Sequence, residues 1–86
     1  MNKIDEFIGK LKSCLSVFSD CKLRIEKDDE SNILRIYIIS DDGDKSYCDA
    51  RSYLDIINAY DMDVIVDSVF VQMDEFYREV VKNNGM

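Results

Sequence analysis

Carboxylates are the most abundant side chains in this sequence that could take part in chemistry. There are 18 aspartates and glutamates against 11 lysines and arginines, which gives a net charge of −7. Residues 28–86 hold fourteen acids and five bases (net −9), whereas residues 1–27 hold four acids and six bases (net +2). Binding to phosphates or anionic lipids needs clusters of lysine and arginine. We therefore expect no direct contact with nucleic acid or membrane, and a basic protein surface as the partner.

Groups that commonly carry out catalysis are scarce. The sequence has no histidine, the commonest general base and metal ligand. Its three cysteines, Cys14, Cys21 and Cys48, form no CxxC pair and leave an odd thiol, so they indicate neither a disulfide framework nor a zinc site. Paired carboxylates transfer protons only where their environments separate their pKa values, and acids in hydrophilic turns stay solvated. We therefore expect a protein that is not an enzyme and holds no cofactor or metal.

The acidic segment at residues 41–44 combines possible cation ligands with the residues of a turn. Asp41, Asp42 and Asp44 surround Gly43. An EF-hand calcium loop needs alternating acids, glycine at the sixth position and a distal glutamate, and this segment lacks that spacing. Asp-Gly between strand-like segments instead predicts a β-hairpin with a primed turn, whose central residues need positive φ. We expect a hairpin turn that presents carboxylates.

A second series of acids follows Tyr60. On a helix Asp63 and Asp67 are i,i+4 neighbours, as are Glu75 and Glu79, and each like-charge pair destabilises a helix by about 0.2–0.5 kcal/mol. Two interpretations stay open: a solvated face that keeps an acidic protein in solution, or a surface that matches a basic groove on a partner. In the second interpretation the candidate contacts are Asp42, Asp44, Asp63, Asp67, Asp74, Glu75 and Glu79.

The length and composition of the chain predict one domain over residues 1–86. There is no proline, no glycine- or serine-rich linker and no internal repeat that would indicate a domain boundary. Residues 1–12 mix charged with apolar side chains, and no apolar run approaches the ~18–20 residues of a membrane span. A cytoplasmic protein is therefore expected.

A sheet of three strands is predicted in the middle of the chain. From Lys22 apolar and charged residues alternate with a period of two, as in a strand with one solvated face. Residues 33–39 are rich in β-branched side chains, with Leu34, Ile36 and Ile38 on one face, and they predict the central strand. A third strand at about residues 45–50 follows the acidic turn.

Helices are predicted on both sides of the sheet. The first spans residues 3–18, and the second runs from Ser52, as N-cap, to about Tyr60. We favour a third over residues 64–82, although the β-branched side chains of residues 64–71 leave a strand followed by a shorter helix as an alternative. The fold class is α+β: a helix, a three-stranded antiparallel meander and two C-terminal helices. The apolar residues at helical spacing are Ile4, Phe7, Ile8, Leu11, Leu15 and Phe18 in the first helix, Tyr53, Leu54, Ile57 and Tyr60 in the second, and Val66, Val69, Phe70, Met73, Phe76, Tyr77 and Val80 in the third.

Several short segments, together with the order of the predicted elements, resemble a known group of proteins. These segments are Met1-Asn2 with Ile4-Asp5 and Ile8, the strand Leu34-Arg35-Ile36 leading into Asp42-Gly43 with Tyr47 beyond, and Glu75-Phe76-Tyr77. In this acidic chain of 86 residues they resemble the small phage-encoded anti-CRISPR proteins, which inhibit type II effector nucleases. The resemblance implies a mimic of duplex DNA whose acids occupy the site where the nuclease reads its protospacer-adjacent motif. Such nucleases read that motif with arginines in the major groove.

The resemblance also implies specific contacts and a cellular location. Asp42 in the hairpin and Glu79 in the last helix would contact the nuclease, in the cytosol of the phage host. Lys45 departs from the family pattern, which has a second hairpin carboxylate there. Two other functions stay open: an immunity protein or antitoxin that caps a basic toxin, and a structural homodimer. The homodimer would be joined by an apolar face, with Tyr53, Tyr60 or Tyr77 as its candidate residues.

Overall fold

The β-branched run in the middle of the chain forms the central strand of a three-stranded sheet. We analysed a computed structural model, which describes residues 2–82, so Met1 of the family resemblance lies outside the described residues. The helices and strands are α1 (Lys3–Leu15), β1 (Cys21–Asp28), β2 (Ile33–Ser40), β3 (Ser46–Ser52), α2 (Tyr53–Ile57) and α3 (Met62–Phe76). A π-helical segment, Tyr77–Lys82, continues α3, and we call it the π turn. The predicted α+β meander with C-terminal helices is confirmed.

The sheet is antiparallel with strand order β1-β2-β3, and one of its faces is buried. Side chains along β2 alternate between buried and half-buried, as the pleat of a strand requires. Leu34, Ile36 and Ile38 are buried beneath the helices, and Ser40 is the last inward-facing residue of the strand. The register places Leu23 of β1 and Tyr47 of β3 beside Ile38, so all three strands contribute to the same face.

The two long helices, α1 and α3, lie side by side and run in the same direction. Lys10 of α1 reaches Asp63 in the first turn of α3, with Nζ 2.9 Å from Oδ1. Further along, the Phe18 ring stacks on Phe70 with centroids 5.5 Å apart. Because α3 starts at the level of the middle of α1, its C-terminal half extends beyond the end of α1. Among residues 2–82, no helix has the length and apolar character needed to cross a bilayer.

The structure corrects the predicted ends of the first two helices. The first helix stops at Leu15, and Phe18 is buried from the following turn rather than from the helix. The second stops at Ile57, so Tyr60 lies outside it and is fully exposed. In α2 the buried residue is Ile56, while the apolar positions expected to face the core, Leu54 and Ile57, are exposed. A helix of five residues is too short for periodicity to identify its buried face.

The last segment is helical, and the alternative strand at residues 64–71 is not formed. Asp61 caps α3 by accepting a hydrogen bond from the backbone N–H of Asp63. The β-branched residues are accommodated because the face with Val66, Val69 and Met73 is buried against the core. Packing of an amphipathic face outweighs the small propensity cost of such residues.

The assigned burial of the core can be tested by comparing a buried leucine with an exposed leucine. Leu34 is 0% exposed and Leu54 is 67% exposed. We expect Leu34→Ala to lower the free energy of unfolding by about 2–5 kcal/mol, because it leaves a cavity among packed side chains. Leu54→Ala should change it by no more than about 0.5 kcal/mol. Urea denaturation followed by circular dichroism measures both, and equal losses would contradict the assigned burial.

Candidate functional site

Two clefts lie next to each other at the end of the molecule that carries the β2–β3 hairpin. The hairpin cleft has a volume of about 350 Å³, and the helix cleft one of about 310 Å³. The π turn separates them, with Val81 lining the first and Val80 the second. The hairpin cleft is lined by Asp20, Ser40, Asp41, Asp42, Lys45 and Val81, and the helix cleft by Tyr47, Gln72, Glu75, Phe76, Glu79 and Val80. We call the two clefts together the acidic end, since their linings hold five carboxylates and one lysine.

The hairpin turn is held by Ser40, which lies beneath it. The Ser40 hydroxyl donates to Oδ1 of Asp42 at 2.6 Å and accepts from the backbone N–H of Lys45 at 3.0 Å. The backbone N–H of Asp44 also donates to Oδ1 of Asp42, at 2.9 Å. Both bonds to Asp42 go to the same oxygen, Oδ1.

The predicted primed turn is wrong in its backbone geometry. Gly43 has φ +76°, but Asp42 does not share the positive φ that a primed Asp-Gly turn requires. The loop instead comprises the four residues 41–44, because the Ser40 N–H donates to the Lys45 carbonyl oxygen at 2.8 Å. Within the loop, the Gly43 N–H donates to the Ser40 carbonyl oxygen at 2.8 Å. The longer loop leaves Asp41, Asp42 and Asp44 exposed at its tip.

Hydrogen bonding keeps Asp42 ionised. The donated bonds from the Ser40 hydroxyl and the Asp44 N–H, with the nearby charge of Lys45, hold the pKa of the Asp42 carboxyl below its ordinary value. A lowered pKa means that the contribution of this ionisation to stability is complete above the ordinary pKa of an aspartate. That contribution is lost as the pH falls through the lowered pKa. Asp42 therefore keeps its negative charge at neutral pH.

The π turn brings the end of the last helix to the start of the sheet. Tyr77 is buried, its ring lies 4.9 Å from that of Phe18, and its hydroxyl donates to Oδ2 of Asp20 at 3.5 Å. These contacts fix where the next turn passes, with Val80 on one side and Val81 on the other. π turns within helices are rare and occur frequently at functional sites.

The floor of the helix cleft is aromatic. The rings of Tyr47 and Phe76 stack with centroids 5.7 Å apart, and the Tyr47 hydroxyl donates to Oε1 of Gln72 at 3.2 Å. Burial raises the pKa of Tyr47, and the charges of Asp49 and Glu75 raise it further. The hydroxyl therefore stays protonated and acts as a donor, and Glu75 lies close enough to the ring to influence it.

Three of the seven predicted contact residues line the clefts. Asp42 lines the hairpin cleft, while Glu75 and Glu79 line the helix cleft, although they lie far apart in the sequence. Asp44 is in the same hairpin, with Oδ2 3.4 Å from Nζ of Lys45. Asp74 is on the same half of α3, but its carboxylate binds Nε of Arg78 at 3.0 Å.

The other two predicted contacts lie away from the clefts, in the first half of α3. Asp63 forms the ion pair with Lys10, and Asp67 lies near Cys14, where its charge contributes to the raised pKa of the thiol. The i,i+4 spacing placed the two on one helix face correctly. It could not show that α1 runs alongside that face and supplies a lysine.

Sequence reasoning missed residues that belong to this surface. Asp20 and Asp41 were not among the predicted contacts, although Asp41 is in the aspartate-rich turn and could have been included on that signal. Asp20 gave no local signal, because only the return of Tyr77 brings the C-terminal helix to it. Tyr47 was noticed only through the family resemblance and Phe76 also as part of a helical apolar stripe, but the stacking of their rings depends on tertiary packing.

The cysteines and the tyrosines of the homodimer alternative are dispersed. Burial raises the pKa of Cys14 and of Cys21, and neighbouring aspartates raise both further, so each stays a thiol. Tyr77 is buried at the acidic end, whereas Tyr60 is exposed near the opposite end. The Tyr53 hydroxyl donates to Asp29 at 2.9 Å, and burial together with this bond raises its pKa to about 12. These tyrosines do not form one apolar face.

Comparisons with known proteins found no match for this chain among protein-family models, curated proteins or solved structures. Within residues 2–82 there is also no group of three or more acidic, histidine or cysteine side chains arranged to hold a metal ion. Function is therefore inferred from the chain's own residues.

The Ser40–Asp42 bond gives a direct test of this geometry. Ser40→Ala removes the hydroxyl donor, so we expect the pKa of Asp42 to rise towards that of an ordinary aspartate. NMR titration of the side-chain carboxyl carbons measures this change residue by residue. Ser46→Ala, an exposed serine just beyond the turn, is the matched control and should leave Asp42 unchanged. An unaltered Asp42 pKa in Ser40→Ala would contradict the assigned bond.

Proposed function

We propose that this protein is a non-enzymatic inhibitor whose acidic end occupies a basic, nucleic-acid-binding groove of a partner protein, as a mimic of DNA. As partner we propose a type II CRISPR effector nuclease, which makes the protein an anti-CRISPR that blocks recognition of target DNA. The observation that carries the proposal is the convergence of five carboxylates on two adjacent clefts. Separate parts of the chain supply them: the turn before β1, the β2–β3 hairpin and the end of the last helix.

The distribution of ion pairs supports the acidic end as the surface that meets the partner. Asp63 and Asp74 are each paired with a base of this chain, whereas in the hairpin cleft the described residues place Asp20, Asp41 and Asp42 around a single lysine, Lys45. Like charges brought together repel and lower the stability of the compact state. A partner that supplies cations removes this repulsion on binding.

The chemistry of the exposed acceptors suits arginine. A guanidinium presents a rigid fork of donors that matches the two oxygens of a carboxylate, and arginine forks also read the protospacer-adjacent motif in the major groove. Asp41 and Asp42 on the hairpin and Glu75 on α3 therefore offer acceptors that could replace those of the DNA. Asp42 has its Oδ1 fixed by the turn, so its carboxylate is oriented before the partner arrives.

Competition with target DNA tests the proposal. A guide-loaded type II nuclease is mixed with a fluorescent duplex that carries the target and its motif, and anisotropy measures duplex binding as the protein is added. We expect the duplex to be displaced, because protein and DNA would occupy one groove. A panel of such nucleases covers differences in motif recognition. Duplex binding that is unaffected throughout the panel would exclude this proposal.

Charge-neutralising variants locate the surface. The triple variant Asp41→Asn, Asp42→Asn, Glu75→Gln removes three charges from the acidic end, and asparagine at position 42 keeps an oxygen for the Ser40 and Asp44 donors. We expect inhibition to weaken by about 100-fold or more, since each lost partner of a desolvated charge costs several kcal/mol. The matched control, Glu6→Gln, Glu30→Gln, Asp55→Asn, removes three exposed charges near the opposite end. Equal weakening by both would mean that only net charge matters.

Salt dependence is a separate expectation for the wild-type protein. Several carboxylates meeting arginines should make association weaken steeply as sodium chloride rises from about 50 to about 300 mM. The inhibition constant is measured in the displacement assay at each salt concentration. It is corrected for the effect of salt on duplex binding alone, and its change with salt concentration gives the slope. The acidic-end triple variant should show a shallower slope than its control. An inhibition constant that does not change with salt would argue against a charge-driven contact.

A further inference from the structure

The helix cleft differs from the hairpin cleft in having an aromatic floor. Tyr47 comes from β3 and Phe76 from the last turn of α3, and their stacked rings are both half-buried, so they remain in part open to the cleft. The Tyr47 hydroxyl is engaged by Gln72, which fixes the orientation of that ring. The floor is therefore an aromatic surface, and its apolar character does not depend on the charges around it.

The size and charge of the cleft define its occupant. A volume of about 310 Å³ lies at the lower end of the range of about 300–1,000 Å³ found for ligand pockets, which suits one long side chain. The carboxylate of Glu75 in the lining makes the cleft favourable for a cation. A guanidinium can make two favourable interactions in this cleft, because it stacks on aromatic rings and forms paired hydrogen bonds to a carboxylate. An ammonium is a strongly hydrated point charge and does not form these paired hydrogen bonds.

We propose that the helix cleft is an arginine-binding subsite, in which a guanidinium of the partner stacks on Tyr47 and Phe76 and is bound by Glu75. This inference rests on the proposed function and goes beyond it. It assigns arginine rather than lysine to this cleft, and it makes two uncharged rings determinants of specificity. The hairpin cleft, whose lining includes no aromatic residue among residues 2–82, would accept either cation.

The test uses two short probes, the tripeptides Gly-Arg-Gly and Gly-Lys-Gly blocked at both ends, and the full chain labelled with ¹⁵N and ¹³C. We expect the arginine peptide to shift the ring resonances of Tyr47 and Phe76 and the amide of Glu75. Its affinity should exceed that of the lysine peptide by about two- to fivefold, the gain typical of a cation on an exposed aromatic face. In the same spectra, shifts of the Asp41 and Asp42 resonances show whether a peptide binds in the hairpin cleft.

Variants separate the contribution of the ring from that of the charge. Phe76→Leu keeps apolar volume and should remove the preference for arginine while leaving weak binding of both peptides. Glu75→Gln should weaken both peptides, and Glu30→Gln, near the opposite end, should weaken neither. If Phe76→Leu disturbs the fold, as its spectrum would show, Tyr47→Leu gives the same measurement from the other ring.

The outcomes distinguish this inference from the function on which it rests. Equal affinities for the two peptides, or arginine shifts confined to Asp41 and Asp42, would overturn the arginine subsite. Either result leaves competition with target DNA by the acidic end unaffected, because that competition is measured with the nuclease itself. Preference for arginine that persists in Phe76→Leu and Tyr47→Leu would likewise overturn the role of the rings.

Discussion

Burial of one face of β2 is the constraint on which the rest of the structure depends. The pleat turns Leu34, Ile36 and Ile38 inward, and the same alternation turns Ser40 inward at the end of the strand. A buried hydroxyl must find hydrogen-bond partners, and Ser40 finds them in Asp42 and in the backbone of Lys45. A slip of the register by one residue would place Ser40 on the open face and leave the hairpin without this support. The core of the sheet thus determines how the acids of the hairpin are presented.

The fold was largely predictable because its signals are local. Alternation with a period of two identified the strands, and spacings of three and four identified α1 and α3, since each pattern reflects which residues of one element face the core. Failures occurred where an element was too short to establish a period. Leu54 and Ile57 fit a helical stripe by chance, and only Ile56 of α2 is buried. The hairpin turn was also predicted with the wrong geometry. Glycine adopts positive φ in hairpin loops of several lengths, so the Asp-Gly pair alone does not specify a two-residue turn.

The site was less predictable, because it is assembled from distant segments. Spacing correctly placed Asp63 and Asp67 on one face of a helix, but it carries no information on which element lies opposite that face. In the structure that element is α1, and Lys10 pairs with Asp63. Asp20 joins the surface only because Tyr77 packs beside Phe18. The contact residues stay predictions: Asp42, Glu75 and Glu79 line a cleft, whereas Asp63 and Asp74 form ion pairs with bases of the chain.

The offset between the parallel helices α1 and α3 determines which acids of the last helix lie beside α1 and its lysines. The basic excess of the sequence lies in residues 1–27, which include α1, and the acidic excess lies in the remainder, which includes α3. Where the helices overlap, Lys10 can neutralise Asp63 across the interface. Since α1 ends at Leu15 while α3 and its π turn continue to Lys82, the last turns pass beyond α1, and Glu75 and Glu79 line the helix cleft there.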